Sequence, residues 1–269
     1  MQRNGWPHAK KGGIRTGFQK GVRTGLMLDI QRLEKSFGAK HAVRGVSFRL
    51  EKGTVLGFLG PNGAGKSTTM RMIAGVLEPD GGDALIDGKS ILSDRREAQR
   101  ALGYLPEGAP LYDDMTPPEF LIFMASARGI KGAARKNGVE RAIADARIST
   151  VCDQRIGSLS KGYRRRVGLA GAILHDPPVL LLDEPTDGLD PNQKRAVRAL
   201  IARMAPHKAI LISTHTLTEV PAMCTRAIVI DRGMIVADDT PTALALQSED
   251  GTLESAFTRL TDQAEAESA

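Results

Sequence analysis

Val55-Leu56-Gly57-Phe58-Leu59-Gly60-Pro61-Asn62-Gly63-Ala64-Gly65-Lys66-Ser67-Thr68 is the stretch from which the rest of the chain is read. Val55 to Leu59 is an apolar run without alternation, fit for a parallel strand buried on both faces. Gly60 to Ser67 then follows G-x-x-x-x-G-K-[ST], a glycine-rich loop between a strand and a helix. Glycines let successive backbone N–H groups point inward as a nest for phosphate oxygens. The N-terminus of the helix expected over Ser67 to Val76 adds about half a positive charge at the same place. Lys66 is suited to bridge the β- and γ-phosphates of a nucleotide, and the Ser67 hydroxyl to ligate Mg²⁺.

A second apolar run, Val179-Leu180-Leu181-Leu182, ends in Asp183-Glu184. On its own an acid at a strand end is an ordinary cap. Downstream of a phosphate loop it reads as the other half of a nucleotide site. Asp183 is delivered beside the loop, where it can hold Mg²⁺ through water. Glu184, one residue on, points to a different side and suits a base that polarises the attacking water.

Around these runs the pattern is regular. Leu26 to Leu33 and Val46 to Leu50 roughly alternate with polar residues, as half-buried strands do. Short strands are expected near Ala84–Ile86, Leu102–Leu105, Ala209–Ile212 and Ala227–Ile230, with a helix near Gln193–Met204. Strands alternating with helices predict an α/β fold of the P-loop NTPase kind: a mostly parallel core sheet, an antiparallel β edge, and helices on the faces. A helical stretch from about Pro118 to His175 predicts an inserted helical subdomain over about 108–175. One domain over 26–262 accounts for all of this, followed by a flexible C-terminal tail at 263–269.

Further short motifs stand between and after the two halves of the site. Leu159-Ser160-Lys161-Gly162-Tyr163 resembles the signature of ATP-binding-cassette (ABC) ATPases, usually LSGGQ. Asp187-Gly188-Leu189-Asp190 resembles their D-loop, and Ser213-Thr214-His215 their switch histidine. Phe37 stands where that family places an aromatic that stacks on adenine. With all motifs in family order, the resemblance covers about residues 27 to 260. It implies ATP and Mg²⁺ as ligands and a head-to-tail dimer with a second copy. Each nucleotide would then be held by one copy's phosphate loop and by the partner's Ser160, Gly162 and D-loop Asp190. It further implies that His215 hydrogen-bonds the γ-phosphate and orients the water near Glu184. His8, His41, His175 and His207 carry no such context and read as surface or packing residues.

Two departures from the family pattern matter. Lys161 and Tyr163 replace the usual Gly and Gln of the signature, and a lysine near a triphosphate is electrostatically tolerable. In Leu105-Pro106-Glu107 the third residue replaces the usual Gln, which touches Mg²⁺ and water. A carboxylate can ligate Mg²⁺ as well as an amide can, but it adds negative charge beside Glu184.

The run Leu105 to Tyr112, the LSKGY variant and the ending Leu253 to Thr261 resemble the ABC-2 export subfamily. That subfamily includes cassettes for drug, polysaccharide, gliding-motility and copper-enzyme-maturation systems. The implied partner is a separate multi-spanning membrane subunit met by the region around Leu111–Phe123, with the cassette peripheral on the cytoplasmic face. Leu121, Ile122, Phe123 and Met124 are expected in the core. The interval from Lys66 to Asp183 leaves no room for the coiled coil of chromosome-maintenance ATPases. Lys66, Asp183, Glu184 and His215 together speak against a degenerate cassette.

Composition bounds the alternatives. The 269 residues are 41% hydrophobic and 25% charged with a formal net charge of +6. Residues 1–25 hold Arg3, Lys10, Lys11, Arg15, Lys20 and Arg23 and no acid, so the remaining body is neutral. A soluble nucleic-acid-linked cassette would rest on this extension alone, so no nucleic-acid partner is expected, and Arg164-Arg165-Arg166 reads as a solvated helix face. The extension is expected to be disordered. It is either a basic arm on anionic lipid headgroups or the product of a start codon placed ahead of Met27. Cys152 and Cys224 are too few for a disulfide framework and fit a reducing compartment. No apolar run approaches the roughly 18 residues of a membrane span.

Overall fold

A computed structural model describes residues 25–266. Its strands are β1 (Leu26–Phe37), β2 (Lys40–Glu51), β3 (Val55–Leu59), β4 (Gly81–Ile86), β5 (Lys89–Ser90), β6 (Leu102–Leu105), β7 (Val179–Asp183), β8 (Ala209–Ser213), β9 (Arg226–Asp231) and β10 (Met234–Asp239). Its helices are α1 (Lys66–Ile73), α2 (Arg95–Arg100), α3 (Pro117–Ala127), α4 (Gly132–Asp145), α5 (Lys161–Ile173), α6 (Pro191–Met204), α7 (Val220–Met223), α8 (Pro241–Ala245) and α9 (Leu253–Ala266).

Six strands form one sheet in the order β10-β9-β3-β8-β7-β6, parallel throughout except where β10 pairs with β9. Strands β3, β7 and β8 are buried at every residue, which is why they read as unbroken apolar runs. Successive side chains point to opposite faces. Leu180, Leu182, Ile210 and Ile212 therefore pack on the side of α3, α5 and α6, while Leu181, Leu211 and Phe58 pack on the side of α1 and the second sheet. That second sheet is antiparallel, in the order β2-β1-β4-β5, and is half-buried with the alternation its sequence shows.

Parallel register brings the carboxyl ends of the central strands together. Phe58 pairs with Ser213, Ser213 with Asp183, and Leu105 with Leu182. The loops after β3, β6, β7 and β8 consequently open on one edge, where parallel α/β sheets bind ligands.

The helical stretch resolves into α3, α4 and α5. Helix α3 starts at a capping box between Thr116 and Glu119 with Pro117 in its first turn, and Ser160 caps α5. Strands β5 and β10 and helices α2, α7, α8 and α9 are additional to the expected elements. The two strands are short or half exposed and give no clear alternation. Helix α9 runs on to Ala266, into the segment expected as a tail. The basic extension, apart from Gly25, lies outside the described residues. Among the described residues no helix is long and apolar enough to cross a membrane.

The arginine run is not a solvated face. Arg165 and Arg166 are each 6% exposed. Arg166 sits 4.1 Å over the Tyr163 ring centroid and donates to the Arg147 carbonyl. Both side chains lie on the buried face of α5, where a charge count alone does not place them.

His175 is a packing residue, as expected, hydrogen-bonded through Nε2 to the Leu102 carbonyl at 3.1 Å. Burial, followed by the charge of Arg128, pushes its pKa down from 6.5 to about 4. The folded state therefore binds fewer protons than the unfolded chain between those values. Stability should be complete above about pH 6.5 and fall toward pH 4, by up to about 3 kcal/mol. Denaturant titrations across this window should show the slope, and His175→Gln should flatten it; an unchanged slope would contradict the assignment.

Candidate active site

The phosphate loop is held by its neighbours before any ligand arrives. Gly60 lies against the Ile230 carbonyl, where a Cβ would come within 2.3 Å, and Gly65 at φ +107° lies against the Ala42 carbonyl at 2.5 Å. Ala64 is buried, accepting from the Gly233 N–H at 2.9 Å and donating to the Pro61 carbonyl. Helix α1 begins at Lys66 itself, with Gly65 as a cap that offers no side chain. Its first N–H groups are thus left for a ligand.

A cavity of about 370 Å³ opens beside the loop. Its lining takes Phe37 and Lys40 from either side of the β1–β2 turn, Asn62, Gly63, Gly65, Lys66, Ser67 and Thr68 from the loop and α1, and Glu107 from the segment after β6. Phe37 is half exposed at the mouth of this cavity. Glu107 thus reaches the phosphate loop from another strand end. Lys40 belongs to the cavity although no motif marks it.

Lys66 is buried and donates to the Gly60 carbonyl at 2.6 Å and the Pro61 carbonyl at 3.0 Å. Burial lowers its pKa, opposed by the charges of Glu184, Asp183 and Glu107. All three acids therefore lie within electrostatic reach of this one ammonium. Asp183 is 3% exposed and accepts from the Ser213 hydroxyl across the β7–β8 register. Glu184 Oε1 accepts from His215 Nδ1–H at 2.7 Å.

Glu184 has φ +51°, a left-handed backbone uncommon outside glycine. Such a conformation costs on the order of 1–3 kcal/mol and persists only where the surroundings enforce it. Here they do. The Glu184 N–H donates to the Ser213 carbonyl at 3.0 Å, and its carbonyl accepts from the Asp187 N–H at 3.1 Å. The same carbonyl accepts from Arg165 Nε at 3.0 Å and Nη2 at 2.8 Å.

The remaining motifs lie along the α5–α6 face. Ser160 accepts from the Tyr163 N–H as the α5 cap. Gly162 leaves room for the 188–193 segment, where a Cβ would meet Gln193 Oε1 at 2.5 Å and the Gly188 carbonyl at 3.4 Å. Asp190 caps α6 by accepting from the Asn192 and Gln193 N–H groups. Lys161 pairs with Asp187 at 2.8 Å. Ser160, Gly162 and Asp190 do not line the cavity beside their own chain's phosphate loop. Glu219, which no motif singles out, is buried and joins the turn after Glu184 to the segment after His215. Its carboxylate accepts from Thr186 Oγ1 at 2.7 Å and Lys194 Nζ at 2.7 Å.

The sequence model of the family described as ABC transporter matches residues 43–187. The chain belongs to the ABC transporter family. It is 39% identical over 228 residues to Nod factor export ATP-binding protein I of Burkholderia lata, covering 83% of this chain and 74% of that protein. Among solved structures it resembles an ATP-binding subunit of an ABC transporter, with 28% identity and a TM-score of 0.79 over 87% of this chain and 99% of the other. A dimeric bacterial ABC transporter cassette shares the fold at a TM-score of 0.73 and 21% identity, over 80% and 98% of the two chains. This cassette is thus an ATP-binding subunit whose ATP hydrolysis is coupled to transport.

Gly65→Ala tests the cradle. Its Cβ would meet backbone rather than a movable side chain, at a φ that L residues rarely adopt. ATP binding to the cassette should weaken at least about tenfold, ~1.4 kcal/mol. Fluorescent-nucleotide titration measures it, and undiminished affinity would show that the loop geometry is not what holds phosphate.

Proposed function

We propose that this chain powers an ABC-2 type membrane exporter, working as a head-to-tail pair in which each nucleotide is sandwiched between one copy's phosphate loop and the other's signature. The observation that carries the reading is that Asp183, Glu184 and Glu107 all act electrostatically on Lys66 at one sheet edge, while Ser160 and Asp190 stand on other elements, at the N-caps of α5 and α6, with Gly162 in the first turn of α5. A second copy, turned end to end, completes the site. The export name of the Burkholderia relative and the dimeric cassette of the same fold support it.

In this reading the loop N–H groups and Lys66 hold the triphosphate, and Phe37 stacks on the base. Oxygen donors suit Mg²⁺, and Ser67, Asp183 and Glu107 would hold it. Among the described residues no three His, Cys, Asp or Glu side chains converge to hold a metal by themselves, so a serine hydroxyl and phosphate oxygens would complete the set. Bound there, the ion supplies charge neutralisation to the triphosphate. Glu184 takes the proton of the attacking water. His215 orients the Glu184 carboxylate now and meets the γ-phosphate when nucleotide is present. Ser160 and the Gly162 N–H touch the partner's nucleotide at the α5 N-terminus.

The membrane subunit docks beside the segment after Glu107, placing the cassette at the cytoplasmic face. The expectation that residues 121–124 are core holds for Leu121, which is fully buried, but Ile122 and Phe123 are 44% and 42% exposed. Their apolar surface is extended by Tyr112, whose ring lies 5.3 Å from that of Phe123. Exposed aromatics of this kind mark partner surfaces.

Glu184→Gln should lose hydrolysis by at least about a hundredfold while keeping ATP affinity, whereas Glu107→Gln should change turnover less. Equal losses would overturn the division of roles. Purified from detergent-solubilised native membranes with ATP and Mg²⁺, Glu184→Gln should bring a multi-spanning membrane protein with it. Recovery of a soluble dimer or of nucleic acid instead would contradict the exporter reading.

A further inference from the structure

Arg165 lies on α5, one turn beyond the signature residues, and is 6% exposed. Its guanidinium is shared between two loops on which hydrolysis depends. Nε and Nη2 donate to the Glu184 carbonyl, at 3.0 and 2.8 Å, and Nη1 donates to the Pro106 carbonyl at 2.9 Å. Pro106 immediately precedes Glu107, so one side chain grips the main chain of both acids. The planar fork of a guanidinium can make such a bridge; a single ammonium has no matching geometry.

Three features make the contact more than packing. Glu184 is held in a left-handed backbone that needs outside support, and its carbonyl is the atom Arg165 grips. The helix carrying Arg165 also carries Ser160 at its N-cap, the group presented to the other copy's nucleotide. Its next turn is seated without slack, because a Cβ on Gly168 would meet Ala109 Cβ and Leu105 Cδ1 at 2.9 Å each. A shift of α5 is therefore passed to residues 105–109 and to Glu184 rather than absorbed.

We propose that Arg165 is a positioning residue for ATP hydrolysis, transmitting engagement of the signature on α5 to the main chain that presents Glu184 and Glu107. The proposal rests on Glu184 being the hydrolytic base. When α5 is drawn against the partner's nucleotide, the guanidinium carries the Glu184 peptide and the Pro106 peptide with it and sets the carboxylates for attack. Without the bridge, ATP still binds, because no atom of Arg165 takes part in the phosphate loop. A misplacement of about 1 Å in such a site costs on the order of a hundredfold in rate.

The test compares Arg165→Met, Arg165→Lys and Glu184→Gln in the full chain, measuring kcat, KM, ATP affinity and Tm. Arg165→Met fills similar volume without donors; Arg165→Lys keeps the charge and guards against a variant that does not fold. Expected is a kcat loss between about tenfold and a hundredfold in both Arg165 variants, with ATP affinity within about twofold of wild type. Failure of Lys to rescue is the mark of the fork. If Lys restores kcat, or if kcat falls only in step with ATP affinity and Tm, Arg165 is structural and the proposal is overturned.

A cycle with Ser160→Asp reads the transmission itself. Aspartate keeps the helix cap but sets a carboxylate against the partner's phosphate. Arg165→Met should then cost much less in the Ser160→Asp background than in wild type, while purely multiplicative losses would overturn it. Retained hydrolysis in Glu184→Gln would instead remove the base assignment, an outcome distinguishable from any behaviour of Arg165.

Discussion

A buried ammonium at the start of a helix is the constraint around which this cassette is arranged. Lys66 is withdrawn from water and stands at the end of α1 that disfavours a cation. Desolvation weighs against its charge. The charges of Glu184, Asp183 and Glu107 oppose that penalty, and the Gly60 and Pro61 carbonyls accept its hydrogen bonds. The acids proposed for hydrolysis therefore also favour the charge of the lysine proposed to bind phosphate. Their convergence follows from parallel pairing of β3, β8, β7 and β6, which ends all four strands on one edge.

Electrostatics also organises the next layer. Four carboxylates, Asp183, Asp187, Glu184 and Glu107, each favour the charge of Arg165, while burial alone pushes its pKa down. The buried guanidinium also offsets the negative charge that Glu107 adds beside Glu184. The Glu184 backbone, strained by its left-handed φ, is fastened by β8, by the Asp187 turn and by α5. Glu219 bridges the turn after Glu184 to the segment after His215 through Thr186 and Lys194. Burial opposes its charge, but these two hydrogen bonds hold its carboxyl below the ordinary range.

Much of this arrangement was legible in the sequence because backbone chemistry carries it. A glycine nest, an unbroken apolar strand and an acid at a strand end are local patterns with few physical alternatives, and they single out Gly60–Thr68, Asp183 and Glu184, whereas His215 is marked by family resemblance alone. Arg165 is marked by neither, since a triplet of arginines reads as solvated until α5 is seen packed against β6 and β7. Lys40 and Glu219 were missed for the same reason: each enters the site through a tertiary approach that neither periodicity nor spacing encodes. Ile122 and Phe123 show the reverse error, apolar residues assigned to the core by composition and left outside by the pitch of α3. Helices α8 and α9 follow the last expected strand; the ending Leu253 to Thr261 carries a subfamily resemblance, but no local start or stop pattern there was read as a helix.

The division of the site between two copies is the account's central claim, and a mixing experiment tests it most directly. Ser160→Asp is defective only as a partner to another chain's nucleotide, and Glu184→Gln only at its own. A mixed pair holds one complete site, built from the Ser160→Asp chain's Glu184 and the Glu184→Gln chain's signature. The account predicts that ATPase activity of the mixture rises well above that of either variant alone. Activity equal to the average of the two would contradict it, and the signature would then serve its own chain.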